Sequence, residues 1–300
     1  LDTGARMLVD EIRAPRPSQV EVVYGGSPVL SVASEPRVWQ GEIDITPDRY
    51  SFLTDHAVDG APVVPMVWII EWAARAAKSA GPDRVVTGCR DLRMLKGIRL
   101  TDPTRTLRVR LELRETAELD AFECSFFGAE GTPLYRCLVE VGDAHLAPPG
   151  DALTVSGLSP WPFSRDAAYT EHLFHGPAFQ VIETLEGVST EAASAVIEGG
   201  REFGSEAGVR QTDSGLLDGG LQLALLWTAQ VLGRRNLPTG IEQYVVYAPG
   251  LSRGSIRCVL KGQADATGLQ TRSDLLFVDD VSDAVLAELR GVEMHVIPDE

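Results

Sequence analysis

The sequence has only four cysteines in 300 residues, and no two of them form a CxxC pair. A structural zinc site usually needs such closely spaced thiolates, so this spacing argues against one. The cysteines fall in or near apolar, strand-like segments, which indicates reduced, buried thiols and predicts a cytoplasmic protein. They are Cys89, Cys124, Cys137 and Cys258.

Three other absences each exclude a class of protein. No run of about 18 apolar residues occurs, so the sequence predicts no membrane-spanning helix. Lys and Arg number 27 against 43 Asp and Glu, and the net charge of −16 argues against a nucleic-acid partner. Neither a P-loop nor a GxGxxG turn after a strand is found, so the chain carries no nucleotide-binding fingerprint.

The start of the sequence lacks an initiator methionine and the apolar core of a signal peptide. We therefore expect a piece of a longer polypeptide. Residues 1–30 combine a short amphipathic helix pattern, MLVDEIR, with a strand pattern, VEVVYGG, as the last unit of a preceding α/β domain would. An ordinary N-terminal extension would explain the same pattern.

The remaining chain repeats one order of elements. Residues 31–147 and 163–300 each contain a long apolar helix pattern, at 64–78 and 214–233. Strand patterns accompany both, such as VWQGEIDI, GIRLTD and LRVRLEL in the first segment and IEQYVVYAP and GSIRCVLKG in the second. A linker rich in Pro, Gly and Ser, at 148–162, separates them. A long helix wrapped by antiparallel strands is the hotdog arrangement, so we predict an α+β fold with an internal duplication.

A histidine stands just before the first helix. In the stretch HAVDGAPVVP, His56 is followed by an Asp59-Gly60 turn and by Pro65, which suits a first helical turn because it lacks an N–H. That turn offers unpaired N–H groups and partial positive charge, which would polarise a docked carbonyl. A base beside such a carbonyl can remove the α proton. The alternative is a solvated loop histidine.

The second helix carries a carboxyl group. Asp218 and Gln222 lie four residues apart, and so on one helix face, among Leu, Ala, Gly and Trp. Burial raises the pKa of a carboxyl toward the range that a general acid needs. The amide of Gln222 could hold that carboxyl in place. The alternative is a carboxylate near the helix N-terminus that only favours the helix dipole.

A third motif, HLFHGPAFQ, lies between the helices at residues 172–180. His175, Gly176 and Pro177 predict a turn, and Phe179 followed by glutamine predicts the start of a strand. A plain turn with a core phenylalanine would explain the same residues.

The two histidines of this third motif do not predict a metal site. Apart from Glu171, His172 and His175 have no cysteine or acidic neighbour at ligand spacing. We therefore expect no bound metal.

Together the three motifs resemble one family. In this order and at this separation they look like the dehydratase domain of polyketide synthases, over roughly residues 35–297. The residues that carry the resemblance are His56, Gly60 and Pro65, then His175, Gly176, Pro177 and Phe179, then Asp218 and Gln222. The resemblance implies a double hotdog, with two hotdog units side by side in one chain.

One position departs from the family pattern. The family usually has tyrosine before the Gly-Pro pair, and here that residue is His175. The segment LFHGPAF is more similar to iterative synthases that build enediyne or polyunsaturated chains. In those, a ketoreductase precedes the dehydratase, so residues 1–30 resemble a ketoreductase remnant or linker. The resemblance also implies that the turn from His175 to Phe179 contacts substrate.

The resemblance further implies a reaction. The substrate would be a 3-hydroxyacyl thioester on the phosphopantetheine arm of an acyl carrier protein, and the products a trans-2-enoyl thioester and water. His56 would be the general base and Asp218 the general acid, oriented by Gln222. Backbone N–H groups from Gly60 to Val64 would hold the thioester carbonyl. No metal or bound cofactor is implied, because the thioester already acidifies the α carbon.

Other functions on the same fold stay open at this point. A hotdog thioesterase or a product-template, cyclase-type domain would keep the fold, and a template domain also uses a histidine and an aspartate at these positions. A non-catalytic acyl-binding module would belong to another class. The expected sign of such a module, loss of the histidine or the aspartate, is not found here.

The resemblance implies three partners: an acyl carrier protein, neighbouring synthase domains and a second copy of the chain in a homodimer. An acidic carrier protein needs a basic patch despite the acidic total. The candidate residues for that patch are Arg90, Arg93, Lys96, Arg234 and Arg235.

Overall fold

The structure is a computed structural model. It describes residues 36–297 except 47, 103–104, 118–119, 151–152, 202, 204–209 and 249. The predicted remnant at residues 1–30 lies outside the described residues. The predicted linker at 148–162 contains no helix or strand among its described residues. The domain boundaries given above stay predictions.

Eleven of the described strands form one antiparallel sheet, in the order β1-β5-β6-β7-β4-β10-β13-β12-β11-β9-β8, and β2 and β3 form a separate hairpin. The first five strands of this order come from the first half of the chain and the other six from the second half. The strands are β1 Val38–Ile45, β2 Ala57–Val58, β3 Ala61–Pro62, β4 Val85–Met94, β5 Leu107–Glu115, β6 Ala121–Phe127, β7 Pro133–Gly142, β8 Ile182–Val188, β9 Ala192–Gly199, β10 Asn236–Val246, β11 Gly254–Ala264, β12 Gln270–Asp279 and β13 Val285–Val296.

Two long helices pack against this sheet. Helix α1, Met66–Ala80, packs on β4, β5 and β7, and helix α2, Ser214–Leu232, packs on β8 to β13. The helices also contact each other, and β4 pairs with β10, so the two halves share a core and a sheet. Each half is a helix wrapped by antiparallel strands, which confirms the predicted α+β duplication.

The ends of both helices follow from local chemistry. Pro65 is the N-cap of α1, with ψ of 144°, so it lies one residue before the first turn and not inside it as predicted. Asp213 caps α2, where its side chain accepts a hydrogen bond from the backbone N–H of Leu216 at 3.0 Å. Gly233 ends α2 with a φ of +66°, the left-handed conformation that favours glycine.

Two predicted strand segments are wrong. GIRLTD does not form a strand: only Arg99 makes an isolated bridge, to Val63, because this segment closes the cavity instead of joining a sheet. The turn at Pro177–Phe179 is a short 3-10 helix, and β8 begins only at Ile182. Alternation over a few residues does not distinguish a strand from a loop.

All four cysteines are free thiols and buried. No described helix combines the length and the hydropathy needed to cross a membrane.

Candidate active site

The loop before α1 fixes the orientation of His56. Its backbone N–H donates to Leu53 O at 3.0 Å, and its carbonyl accepts from the N–H of Val63 at 2.9 Å. The ring Nδ1 lies 2.9 Å from Val63 O. A carbonyl can only accept, so Nδ1 carries the proton and Nε2 keeps a free lone pair. The buried ring is therefore held as a base.

Burial also sets the charge of His56. Loss of solvation lowers the pKa of His56 to about 4, and the hydrogen bond to Val63 O opposes this only in part. The imidazole is neutral at neutral pH.

Asp218 is the fifth residue of α2 and is buried. Its Oδ2 accepts a hydrogen bond from Gln222 Nε2 at 2.7 Å. Burial raises the pKa of Asp218 to about 7, and the bond from Gln222 partly lowers it. A proton is thus available on this carboxyl near neutral pH.

A hydrogen-bond network fixes the position of Gln222. Its Nε2 also donates to Phe179 O at 2.7 Å, and its Oε1 accepts from the Tyr169 hydroxyl at 2.8 Å. That hydroxyl in turn accepts from the N–H of Ile182 at 2.8 Å. Because the oxygen and the nitrogen of this amide each have their own partners, a 180° flip of the side-chain amide would break these hydrogen bonds. The N–H of Gln222 therefore stays directed at Asp218.

The third motif joins the two halves at the site. His56 and His175 form an antiparallel bridge, and Asp55 accepts from the N–H of Gly176 at 2.7 Å and from that of Ala178 at 2.8 Å. A Cβ on Gly176 would lie 2.8 Å from the carboxyl carbon of Asp55. Only glycine allows this close approach. Pro177 then opens the short helical turn.

His175 lies beside both reacting groups. Its ring centroid is 5.1 Å from that of His56, and its Nε2 is 3.7 Å from Asp218 Oδ2. Its Nδ1 has no hydrogen-bond partner among the described residues. Burial, and secondarily the neighbouring His56, lower the pKa of His175 well below its usual value. The Phe179 ring packs 5.1 Å from His56.

One cavity of about 340 Å³ is lined by His56, His175 and Asp218. Residues of both halves line it, mostly with apolar side chains such as Met66 and Leu221. The sequence placed the imidazole and the carboxyl in different halves, and the structure brings both to this cavity.

The backbone amides predicted to hold a carbonyl are already in use. The N–H of Val64 donates to Ile98 O at 2.9 Å, and that of Val63 donates to His56 O. Gly60, with a φ of +72°, lies exposed at the tip of the β2–β3 hairpin and does not line the cavity. The prediction for these amides is wrong because the loop satisfies its own hydrogen bonds. Val64 contributes its side chain to the cavity wall.

The site also has the composition of a possible metal site. His56, His175 and Asp218 each offer a donor atom within 4.8 Å of the others, and they are the one such group among the residues described. The carboxyl of Asp218 comes from α2, about 40 residues after His175 in the chain, so the ligand spacing within the third motif does not reveal it. His172 takes no part, since its ring packs 4.2 Å from that of Phe163.

Two family models match this chain. The model described as "Polyketide synthase dehydratase domain" matches residues 26–126, and the model described as "Polyketide synthase dehydratase N-terminal domain" matches residues 160–300. The chain belongs to the dehydratase domains of polyketide synthases. Members of this family are lyases that remove water.

Similar proteins support the family and the fold. A polyunsaturated fatty acid synthase polypeptide from Thraustochytrium sp. is 25% identical over 260 residues, which are 83% of this chain and 9% of that protein. The CurF dehydratase domain of the curacin synthase has a TM-score of 0.68 at 19% identity, covering 91% of this chain and 98% of its own. The dehydratase of a mycocerosic acid synthase-like polyketide synthase has a TM-score of 0.67 at 18% identity, covering 92% and 98%. The double hotdog is thus confirmed.

Two residues that support the site were not identified from the sequence. Tyr169 fixes Gln222, and Asp55 fixes the turn that carries His175. Tyr169 lies in an irregular helical segment, so no periodic pattern marks it. Asp55 directly precedes His56, but its partners lie in the other half of the dehydratase domain, and no local signal indicates them.

Proposed function

We propose that this dehydratase domain removes water from a 3-hydroxyacyl thioester on the phosphopantetheine arm of an acyl carrier protein, and gives a trans-2-enoyl thioester. One observation carries the proposal: an imidazole and a carboxyl from different halves open onto one apolar cavity. Burial favours the uncharged form of both, and an elimination needs a free base and a protonated acid.

His56 is the proposed general base. Nδ1 is held by Val63 O, so the lone pair on Nε2 is the one free to take the α proton. The low pKa makes the imidazole a weak base, but it keeps the ring unprotonated before each reaction. Proton transfer of this kind contributes about 10²–10⁴-fold to a rate.

Asp218 is the proposed general acid. As the bond from C3 to oxygen breaks, its proton passes to the leaving hydroxyl, which departs as water. Gln222 is a positioning residue, since it bonds Asp218 and does not line the cavity. In a dehydratase of similar fold, from CurK, an aspartate-to-asparagine mutant is inactive. After elimination, His56 holds a proton and Asp218 lacks one, and proton return restores both.

His175 is proposed to hold the leaving hydroxyl together with Asp218. The gap of 3.7 Å between His175 Nε2 and Asp218 Oδ2 is too long for a hydrogen bond. A substrate oxygen atom beside this gap could form a hydrogen bond with each of the two groups. In this arrangement His175 contacts the leaving hydroxyl from a position where the family usually has tyrosine.

The thioester carbonyl is proposed to face the first turn of α1. The amides of Val63 and Val64 are occupied, and Pro65 has no N–H, so the available donors begin at Met66, which lines the cavity. The positive end of the helix dipole lies at this turn and would favour the developing oxyanion.

The surrounding synthase is proposed from the relatives. The chain spans 9% of the length of the polyunsaturated fatty acid synthase polypeptide that it matches, so the activity and partners of the whole protein are inferences. We propose an iterative synthase, with a ketoreductase upstream, a carrier protein that delivers the substrate, and a homodimeric assembly.

Among the five candidate docking residues, Lys96 and Arg234 fit a contact with a carrier protein best. Arg93 and Arg235 already pair with carboxylates at 2.6 Å, and Arg90 pairs with one at 3.4 Å. Arg234 and Lys96 form no ion pair with any described residue and are exposed. We propose that these two contact an acidic carrier protein.

The test is mass spectrometry of 3-hydroxyacyl thioesters, of graded chain length, incubated with the protein. We expect loss of water with the native chain, and at least a 100-fold lower rate with His56→Ala and with Asp218→Asn. The control is His172→Ala, which removes an exposed imidazole outside the site and leaves the rate unchanged.

The same experiment distinguishes the alternatives. Release of free acid by the native protein would favour a thioesterase, and ring-closed products would favour a template domain. Binding without any turnover would favour an acyl-binding module. Normal rates in either the His56 or the Asp218 variant would contradict the assigned roles.

A further inference from the structure

Three donor atoms from three separate segments lie close together at the reacting centre. They belong to His56, His175 and Asp218, which are all buried, and each pair of these atoms is within 4.8 Å. His175 Nε2 and Asp218 Oδ2 are 3.7 Å apart. The ligand atoms of a four-coordinate zinc ion lie about 3.3–3.6 Å apart, because each metal–ligand bond is about 2.0–2.2 Å long. The widest gap therefore has to close by no more than about 1.5 Å.

The hydrogen bonds around the cavity leave these donors available to a cation. Nδ1 of His56 donates to Val63 O, so the Nε2 lone pair is free, and such a bond is the usual support of a metal-binding imidazole. Gln222 holds the carboxyl of Asp218. Nδ1 of His175 has no hydrogen-bond partner in the described part of the chain, and its Nε2 lies beyond hydrogen-bonding distance of Asp218. No described group therefore competes for the His175 ring.

The third donor distinguishes this chain from the family pattern, which usually has tyrosine in place of His175. A phenol keeps its proton near neutral pH, whereas a neutral imidazole is a common metal ligand. Two imidazoles and one carboxylate are a donor set that holds divalent transition ions and leaves a further position open. Mg²⁺ and Ca²⁺ prefer sites built from oxygen ligands alone. The donor set therefore selects transition ions.

The cavity also gives an ion a path from solvent. Gly97 and Arg99 line it and are exposed, so it is open at this end. Arg99 is the one permanently charged cation in the described lining, and its Nη2 donates to Val58 O at 2.9 Å. Because this side chain is exposed, solvent screens its charge from the buried donors.

We infer that this centre binds one divalent transition ion, such as Zn²⁺, in competition with the substrate, and that the bound ion inhibits dehydration. The inhibition rests on the proposed function, whereas the binding of the ion does not. The ion takes the Nε2 lone pair of His56 that would accept the α proton. It binds Asp218 as the carboxylate, whose proton passes to solvent. The centre can therefore hold the ion or perform the elimination, but not both at once.

The first test is spectroscopic and needs no turnover. Co²⁺ is the probe, because it accepts the same ligands as Zn²⁺ and its visible absorption becomes intense when its coordination number falls from six to four. We expect the native protein to bind one Co²⁺ with such a band, and Zn²⁺ to displace it. In His175→Phe and in Asp218→Asn we expect at least about a 100-fold loss of affinity, since even the loss of a supporting residue costs 10–100-fold. The control is His172→Ala, which removes an exposed imidazole outside the site and should keep the band.

The second test is the dehydration rate in metal-buffered solution. Zn²⁺ should raise the apparent KM and leave kcat unchanged, and a chelator should restore the original rate. Mg²⁺ and Ca²⁺ at the same free concentration should have no effect. Compared with its own metal-free rate, His175→Phe should need at least about 100-fold more free Zn²⁺ for half inhibition.

Three results would overturn the inference: no Co²⁺ band with the native protein, a band that persists in both the His175 and the Asp218 variant, or inhibition that lowers kcat without raising the apparent KM. A persistent band would mean that the ion binds elsewhere, such as at the thiols. If the protein binds Co²⁺ as expected but dehydrates no substrate, the proposed function fails and the metal site stands.

Discussion

Burial acts on the two reacting side chains in opposite directions, and this sets the pH range in which the pair can work. It lowers the pKa of His56 to about 4 and raises that of Asp218 to about 7. Between these values the base is free and the acid is protonated. The same physical cause, loss of water around a charge, prepares both groups.

We expect kcat/KM to be highest between about pH 4 and pH 7. Above about pH 7 it should fall as Asp218 loses its proton, and below about pH 4 as His56 gains one. Gln222 stabilises the ionised form of Asp218, so Gln222→Met should raise the pKa of Asp218 and move the alkaline limb to higher pH. The measurement is the pH profile of kcat/KM for both proteins, and an alkaline limb that stays in place or moves down would contradict this assignment.

At the scale of single elements, two loops join the halves directly at the site. The loop that ends in His56 supplies Asp55, whose backbone and side-chain oxygens accept from Gly176 and Ala178. His175 therefore takes its place through the backbone of its own turn. The close packing between these loops leaves no room for a side chain on Gly176.

Gly176→Ala should damage activity more than stability. The added Cβ would lie 2.8 Å from the carboxyl carbon of Asp55, so one loop must move and His175 moves with it. We expect at least a 10-fold loss of kcat/KM, and about 1–2 kcal/mol of lost stability. Thermal unfolding and kinetics of Gly41→Ala give the control, because a Cβ there meets nothing within 4 Å. Equal kinetics in the two variants would contradict a positioning role for this turn.

At the scale of the whole molecule, a buried carboxylate couples the halves a second time. Glu71 of α1 is fully buried, lies 2.6 Å from Arg75, and accepts from the N–H of Thr212 at 2.8 Å and from its hydroxyl at 2.7 Å. Thr212 directly precedes the cap of α2. The first half thus holds the start of the helix that carries Asp218.

Glu71→Gln should lower the stability of the two halves together. Loss of a charge with several buried partners costs about 3 kcal/mol, or roughly 5 °C in Tm for a chain of this size. Since the halves share a core and a sheet, we expect calorimetry to show one transition that moves as a unit. Separation into two transitions, with only one of them shifted, would show that the halves unfold independently.

The sequence by itself determined the local features of this protein. The apolar periodicity predicted both long helices within two residues, and the i, i+4 spacing of Asp218 and Gln222 predicted their hydrogen bond. The Asp59-Gly60 turn followed from the need for positive φ. These features depend on residues close together in the chain, so the types and spacing of those residues are enough to predict them.

Only the tertiary structure decided how distant groups meet. The pairing of Val64 N–H with Ile98 O, the bond of Tyr169 to Gln222, and the nearness of His175 to Asp218 all join segments that are far apart in the chain. The shared cavity arises because β4 pairs with β10 and the two helices pack together. Such contacts depend on how buried surfaces fit, and neither residue type nor spacing specifies that fit.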